Sequence, residues 1–372
     1  MQVMKMAQAL GLSGHSIRLA VPGIDDASEL PSWDELAHQY GLEYAFPVEW
    51  LPARSQFRRY DYGLHAVRWA RSWGADVLYT RLPQAAALAS LLGMPAICEV
   101  HDYPQGRMGP LLFRAFLKGR GARRLVVITR PLALELSRGF GAPGSPPFTI
   151  IAPDGVDLAR YAQIPSPDVA RQRLAGFLPE QVLQEDQFIA GYTGNLYEGR
   201  GISLLLDIAV CLPEVLFLIA GGEPQDVDRL QNDVKSRGLE NIILTGFVPN
   251  AALPSYQAAC NTLLMPYQTR VAASSGGNIA PYLSPMKLFE YLACERPILS
   301  SDLPVLREVL NQENAILLPP HDVYAWVEAL QSLRADPERA AKLAIQARRD
   351  AGLYTWSSRA ELILADLEDS HA

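Results

Sequence analysis

Two cations and a carboxylate in the C-terminal half stand where they could hold a phosphate ester. Arg200 lies in Gly191–Ala209, GYTGNLYEGRGISLLLDIA, which reads as an apolar strand, a loop punctuated by Gly194, Gly199 and Gly201, then a helix. Glycines let the main chain approach a ligand closely, and the free N–H groups of the helix start form an anion site. A guanidinium beside that start can clamp a diphosphate through two parallel hydrogen bonds. A second strand ends in Ala220-Gly221-Gly222, again ahead of a helix. Lys287 and Glu290 belong to Ser284–Leu310, SPMKLFEYLACERPILSSDLPVLREVL, where Pro285 opens a helix and Glu290 follows Lys287 by one turn on the same face. The ammonium can neutralise phosphate and the carboxylate can accept both hydroxyls of a ribose. The plainer alternatives are tight turns without a ligand and a surface salt bridge worth a few tenths of a kcal/mol.

In the N-terminal half the candidate is His101, which follows the apolar run Ala96–Val100 at a strand's carboxyl end, where doubly wound folds place ligand groups. The alternative is a structural histidine satisfied by Glu99 or Asp102. His15 reads as structural, and His38, His65, His321 and His371 lack partners at metal-ligand spacing. Asp226-Val-Asp228 follows a Gly-Gly-Glu-Pro turn, so acidic residues opening a helix explain it without a metal. Cys98, Cys211, Cys260 and Cys294 form no C-x-x-C pair, which fits reduced thiols better than a disulfide framework or a zinc site. Residues 103–124 carry Arg107, Arg114, Lys118, Arg120, Arg123 and Arg124, no acidic residue, and interleaved Leu111, Leu112, Phe113, Phe116 and Leu117. Residues 107–124 are therefore a candidate peripheral membrane contact, for anionic lipid or a lipid-linked acceptor. A basic helix packed by its apolar face is the alternative.

Positioning such groups takes alternating strands and helices. Short apolar runs occur at Ser16–Val21, Val77–Thr80, Ala96–Val100, Leu125–Ile128 and Thr149–Ile151, and again at Phe188–Tyr192, Leu216–Ala220, Ile242–Thr245, Thr262–Met265, Ile298–Ser300 and Ala315–Leu318. Helical patterns between them, such as Asp61–Trp73, Leu132–Phe140, Asp226–Arg237, Met286–Ala293 and Val305–Leu310, imply βαβ units and parallel sheets. The opening residues MQVMKMAQAL read as an amphipathic helix rather than a signal peptide. The alternation falters over Tyr161–Gln187, which holds Pro165, Pro167 and Pro179. The expected domains are residues 1–164 and 188–352, with a linker at 165–187 and a terminal helix within 353–372 that braces back toward the first domain.

With 372 residues, 49% hydrophobic and 20% charged, the chain suits two globular domains and excludes a disordered or fibrous protein. A net charge of −7 argues against nucleic acid as partner. No run of about 18 apolar residues suggests a transmembrane helix.

The order of several segments resembles one family. ADVLYTRLP (Ala75–Pro83), ICEVHD (Ile97–Asp102), VVITRPLALEL (Val126–Leu136), IIAPDGVDLARY (Ile150–Tyr161), FLIAGG (Phe217–Gly222), ILTGFVP (Ile243–Pro249) and YQAACNTLLMPY (Tyr256–Tyr267), with the two stretches above, are similar to the retaining "group 1", family 4 glycosyltransferases of the GT-B fold. The resemblance implies two doubly wound, Rossmann-like α/β domains facing across a cleft. It implies metal-independent transfer of a sugar from a UDP- or GDP-sugar to a glycan or lipid-linked acceptor, in cell-surface polysaccharide biosynthesis. The setting would be cytoplasmic, at most peripheral to the inner membrane face.

By matching position, Arg200 and Lys287 would bind the donor phosphates, Glu290 the ribose, and Gly246, Phe247 and Val248 the base. Gly194, Asn195, Gly221, Gly222 and Leu288 would line the donor pocket, and His101 would touch the transferred sugar. Departures are Asn195 in place of a basic residue, Tyr282 in place of a glutamate for which Asn278, Ser284 or the Gly276–Gly277 loop could substitute, and Asn261 in place of Asp. The family's first strand and glycine-rich loop have no counterpart before MKMAQAL, so the first N-terminal strand is expected to be missing, leaving an apolar sheet edge.

Overall fold

The computed structural model describes residues 1–23, 30–54, 60–179, 187–272 and 277–367. In chain order the elements are α1 (Gln2–Leu12), β1 (Leu19–Pro22), α2 (Trp33–Tyr40), β2 (Val48–Leu51), α3 (Tyr60–Trp73), β3 (Leu78–Thr80), α4 (Pro83–Leu91), β4 (Ala96–Val100), α5 (Gly109–Lys118), β5 (Ala122–Val127), α6 (Arg130–Phe140) and β6 (Thr149–Ile151). They continue with α7 (Pro167–Arg173), β7 (Ile189–Thr193), α8 (Ile202–Cys211), β8 (Leu216–Ala220), α9 (Pro224–Ser236), β9 (Ile242–Gly246), α10 (Leu253–Ala258) and β10 (Thr262–Met265). The last are α11 (Met286–Ala293), β11 (Ile298–Ser301), β12 (Ile316–Leu318), α12 (Val323–Ala335), α13 (Pro337–Ala351) and α14 (Trp356–Leu364). Each strand expected from an apolar run is present, with ends shifted by up to three residues. The expected helix at Val305–Leu310 is instead a single 3-10 turn over Leu306–Glu308.

The chain forms two compact units: residues 1–37, 42–153 and 356–372 in the first, and 38–41 and 154–355 in the second. Residues 154–164 thus belong to the second unit, where Val156 bridges to Thr355. Of the expected linker and terminal helix, residues 180–186 and 368–372 lie outside the described residues.

The first unit holds a parallel four-stranded sheet, β3-β4-β5-β6, and a separate parallel pair, β1-β2. Its core lies on the central strands, where Ile97, Leu125, Val126 and Val127 are fully buried. Helices α4, α5 and α6 each carry proline in the first turn, a position that lacks an intrahelical acceptor for its N–H anyway. The edges differ from the centre: every residue of β1 and of β3 is only half-buried.

The second unit is one parallel sheet in the order β12-β11-β10-β7-β8-β9. Alternate residues of its strands feed different apolar layers. Leu263 and Met265 pack with Phe289, Leu292 and Ile298, whereas Leu264 packs with Phe217, Ile219 and Trp326. From β7 the chain winds outward through β8 and β9, then returns to pair β10 on the other side of β7. In such sheets ligands bind where the winding reverses, beyond the carboxyl ends of the two strands. Those ends are Thr193 of β7 and Met265 of β10.

Candidate active site

Past Thr193 the main chain turns at Gly194, whose φ of +133° disfavours any side chain, and a Cβ there would lie 2.6 Å from the Lys287 Nζ. Downstream, Gly201 (φ +83°) precedes α8 and sits against the chain leaving β10, where a Cβ would meet the Pro266 carbonyl oxygen at 1.8 Å. No side chain caps α8, so its first-turn N–H groups are open to an anion. Helix α11 likewise lacks a side-chain cap, and Lys287 stands in its first turn.

Two cations meet there. The Lys287 Nζ is buried and has no hydrogen-bond partner, although the side chain as a whole is partly exposed. It stands 3.7 Å from the centre of the Tyr192 ring and 5.6 Å from that of Tyr267. Arg200 donates from Nη1 to the Tyr267 hydroxyl at 3.0 Å, and its guanidinium lies 5.2 Å from the same ring centre. Its Nε is also buried and unpartnered. Burial first, and then the Arg200 charge, push the Lys287 ammonium well below the usual lysine range, opposed by Glu290. Burial raises the Tyr192 and Tyr267 phenols, so both rings are neutral and supply π-faces rather than counter-charge. Such an arrangement has the chemistry to accept an anion with several acceptor oxygens.

Glu290 is buried one turn on from Lys287. Its Oε1 accepts from Asn250 Nδ2 at 3.2 Å and its Oε2 from Gln257 Nε2 at 3.4 Å. Those amides are held in turn: Arg160 donates to Asn250 Oδ1 at 2.7 Å and Tyr161 to Gln257 Oε1 at 2.8 Å. A carboxylate has about four acceptor positions, so Glu290 keeps capacity for further donors. Tyr192, Tyr267, Asn250 and Gln257 escaped the reading of the sequence. The signal for Tyr267 was available, because it lies two residues past the strand at the winding reversal.

The glycine turns converge. Gly194 N–H donates to Ala220 O at 2.8 Å and Gly221 N–H to Gly246 O at 2.7 Å, while a Cβ on Gly221 would lie 2.5 Å from Gly194 O. Gly222 packs against Leu196. Asn195 points outward and contributes its carbonyl to the Tyr192 hydroxyl at 2.6 Å. Phe247 is exposed, Val248 is buried, and Leu288 packs into the core instead of facing the pocket. Asn278 cannot readily substitute for the glutamate replaced by Tyr282, since its Oδ1 already accepts from Val271 N–H and Ala280 N–H at 2.9 and 3.0 Å. Gly276 lies outside the described residues. Asn261 is structural, its Oδ1 accepting from Arg171 and from the Ile189 N–H.

In the first unit, His101 Nε2 is engaged by Glu99, the alternative raised by the sequence. Glu99 is also bound by Arg359 Nη2 at 2.9 Å, Gln2 Nε2 at 2.6 Å and the Tyr79 hydroxyl. Burial alone would raise its carboxyl, but Arg359, His101 and Tyr79 outweigh it and hold Glu99 well below the carboxylate range. Glu99 is thus a fully committed anion, unsuited to general acid work. On α5, Phe113 and Phe116 are buried while Leu111 is exposed, as is Met108 at its N-cap. One basic residue of the 107–124 stretch departs from the expected surface role: Arg124 is buried on β5, with Nε on Pro147 O at 3.1 Å and Nη1 on Ile363 O. Asp226 sits in the first turn of α9, with Arg229 at 3.5 Å.

Comparison with known proteins gives this geometry a lineage. Solved structures share the fold over nearly the whole chain. Sucrose-phosphate synthase from Thermosynechococcus elongatus superposes with a TM-score of 0.75 at 19% identity, covering 99% of this chain and 92% of that one. HepE of Anabaena, in complex with UDP-glucose, gives 0.74 at 18%, covering 99% and 95%. The fold is that of the GT-B glycosyltransferases, with two Rossmann-like domains.

Residues 1–160 match the family described as Glycosyltransferase Family 4 and residues 177–350 that described as Glycosyl transferases group 1, and the chain belongs to this group 1 family. A D-inositol 3-phosphate glycosyltransferase of Xylanimonas cellulosilytica is 28% identical over 64% of this chain and 55% of its own length. The phosphatidyl-myo-inositol mannosyltransferase of Mycobacterium leprae is 24% identical over 97% of this chain and 90% of its own. The chain spans about half the length of the first curated relatives it matches.

Proposed function

We propose that the second unit binds a nucleoside-diphosphate sugar and that the protein transfers the sugar, with retention, to an acceptor hydroxyl. The observation that carries this reading is the buried, unpartnered Lys287 Nζ beside Arg200, at the open amino ends of α8 and α11. A desolvated, unpartnered ammonium held beside a second cation is costly unless an anion completes the pair. A diphosphate supplies oxygens for both, and negative charge grows on it as the glycosidic bond breaks. Stabilisation aimed at that growing charge accelerates the chemical step, and here it comes from side chains and helix ends, with no metal assigned.

Glu290, next to the cations, is assigned to the ribose hydroxyls, and Gly246–Val248 to the base. His101 is assigned to the transferred sugar, with Glu99 fixing its ring. In the retaining course a leaving phosphate oxygen takes the acceptor proton on the face the diphosphate leaves, so no protein base is needed. An alternative is a sugar-nucleotide epimerase of the same fold, which would need acid/base carboxylates, with Glu99, Asp102 and Asp154 as candidates; the commitment of Glu99 to Arg359 weighs against its use there.

UDP is the favoured nucleotide because the HepE structures hold UDP, UDP with glucose, or UDP-glucose. A lipid-linked or glycan acceptor is favoured because relatives are named as mannosyltransferases of phosphatidylinositol monomannoside and of phosphatidyl-myo-inositol. Contact with an anionic membrane through 107–124, with exposed Met108 and Leu111 and without Arg124, fits such an acceptor. No described helix is long and apolar enough to cross a membrane. A thermal-shift screen of UDP, GDP, ADP and their sugars, followed by donor hydrolysis and transfer, tests the reading. Stabilisation by one diphosphate family, with release of its sugar, is expected. No stabilisation by any of them refutes it, and binding without turnover reduces the protein to a donor-binding scaffold.

A further inference from the structure

Two consecutive residues of one short turn reach the same carboxylate through two different amides. Arg160 and Tyr161 end the 3-10 turn Leu158–Tyr161. Arg160 Nη1 donates to Asn250 Oδ1 at 2.7 Å, and its Nη2 to the Asn250 carbonyl. The Tyr161 hydroxyl donates to Gln257 Oε1 at 2.8 Å. Each amide passes an N–H on to Glu290, Asn250 to Oε1 at 3.2 Å and Gln257 to Oε2 at 3.4 Å. Tyr161, Asn250, Gln257 and Glu290 are all buried, where such chains of hydrogen bonds reinforce one another.

The two ends of an amide are alike in shape, so the donors behind it decide which end faces the carboxylate. A guanidinium can only donate. Burial first, and then the Glu290 charge, push the Tyr161 phenol well above the usual tyrosine range, so it keeps its proton and donates as well. Both amides must therefore turn oxygen toward Arg160 and Tyr161 and nitrogen toward Glu290. Either one turned over would set a carbonyl oxygen against the carboxylate.

The same amides tie Glu290 to the loops on either side of it. Asn250 opens the 3-10 turn Asn250–Ala252, just after Gly246–Val248. Gln257 spends its second N–H on Thr193 Oγ1 at 3.2 Å, the last residue before the Gly194 turn. Thr193 is held to α11 again through its N–H, which donates to the Tyr291 hydroxyl at 2.8 Å. Of the four or so acceptor positions of a carboxylate, one on each oxygen is filled by an amide. One on each remains, which suits a pair of neighbouring hydroxyls.

We propose that Arg160 and Tyr161 are positioning residues for the nucleotide ribose. By orienting Asn250 and Gln257 they hold both oxygens of Glu290 for a vicinal diol, and so set a preference for a ribonucleotide over its 2′-deoxy analogue. The inference rests on the assignment of Glu290 to the ribose. Neither Arg160 nor Tyr161 is assigned a contact with the donor, and both act through the amides alone.

The test is calorimetry of UDP, 2′-deoxy-UDP and inorganic pyrophosphate with the full chain and with Tyr161→Phe and Arg160→Met. The parent should prefer UDP to its 2′-deoxy analogue by about tenfold or more, the worth of one hydrogen bond to a charged group. Tyr161→Phe removes one neutral hydrogen bond, so that preference should shrink by about 2- to 12-fold, with pyrophosphate affinity unchanged. Arg160→Met should act in the same direction. In a Glu290→Gln background neither substitution should weaken UDP further, because both work through that carboxylate. An unchanged preference in both variants overturns the proposal, as does equal weakening of all three ligands, the mark of a merely structural role. A parent that binds pyrophosphate but does not distinguish UDP from 2′-deoxy-UDP overturns the assignment of Glu290, and one that binds none of the three overturns the proposed function itself.

Discussion

Replacing Lys287 by methionine separates the anion site from the fold. The substitution keeps the length and much of the apolar stem but removes an ammonium that is buried, unpartnered and repelled by Arg200. In the free protein, relief of an unsatisfied buried donor is worth about 1–3 kcal/mol, against about 1–2 kcal/mol for the lost contact with the Tyr192 face. The variant's Tm should therefore be unchanged or slightly higher. Binding is different: a charge-assisted hydrogen bond to phosphate contributes about 1.5–3 kcal/mol, so UDP should bind roughly 10- to 150-fold more weakly.

Titration gives a second readout. Burial and Arg200 lower the Lys287 pKa, and a bound diphosphate raises it again. Binding is then coupled to proton uptake between the depressed value and the ordinary lysine value of about 10.4. UDP affinity in the parent protein should be full below that window and fall by up to tenfold per pH unit as pH rises through it. The free protein shows the opposite trend, since its unfolded chain binds the extra proton and stability rises with pH across the window. Calorimetry in two buffers of different ionisation enthalpy measures the uptake, and the methionine variant should show none from this site. A UDP affinity within twofold of the parent, or a Tm that falls by many degrees, refutes the assignment.

Four further outcomes are expected. Glu290→Gln should weaken UDP by about 1–3 kcal/mol while leaving inorganic pyrophosphate within twofold, because the carboxylate is assigned to the ribose; calorimetry compares the two. Gly201→Ala should lower stability by at least about 2 kcal/mol, seen as a drop in Tm of several degrees, since φ is +83° and the new Cβ meets Pro266 O. Arg359→Leu should cost about 3–5 kcal/mol by stranding Glu99, and adding Glu99→Gln should recover part of it. Because Glu99 is held low, its contribution is present above about pH 4.3 and lost as pH falls toward the folded value, so denaturation curves of parent and variant should converge in acid. His101→Ala should leave UDP affinity within twofold and reduce transfer at least 100-fold, whereas equal turnover would make the imidazole purely structural.

The sequence displays what is local. Strands of five apolar residues bounded by glycine, such as Leu216–Ala220, reveal themselves because their burial on both faces needs no distant partner. Lys287 and Arg200 are legible because a cation beside a helix start is a short-range pattern. Val48–Leu51 was missed because four residues flanked by Pro47 and Pro52, with Glu49 among them, make no apolar run, and its pairing with Leu19–Pro22 lies across some 30 positions. Tyr192 and Tyr267 look like ordinary core aromatics, and only the winding of the sheet brings both rings onto one ammonium. Arg124 looked like a surface cation because its partner Ile363 O lies 239 residues further along the chain.

That same distance has a consequence for biosynthesis. Helix α14 is made after every other described element, yet its Arg359 is the counter-ion of Glu99 on β4 and also donates to the Ala152 and Pro153 carbonyls. A ribosome releases residues 1–153 long before this guanidinium exists, so until then Glu99 has only the partners those residues supply, His101, Gln2 and Tyr79. The second unit, residues 38–41 and 154–355, draws on no residue after Thr355. Order of synthesis and order of completion are then inverted, with the first-made portion finishing only once α14 arrives.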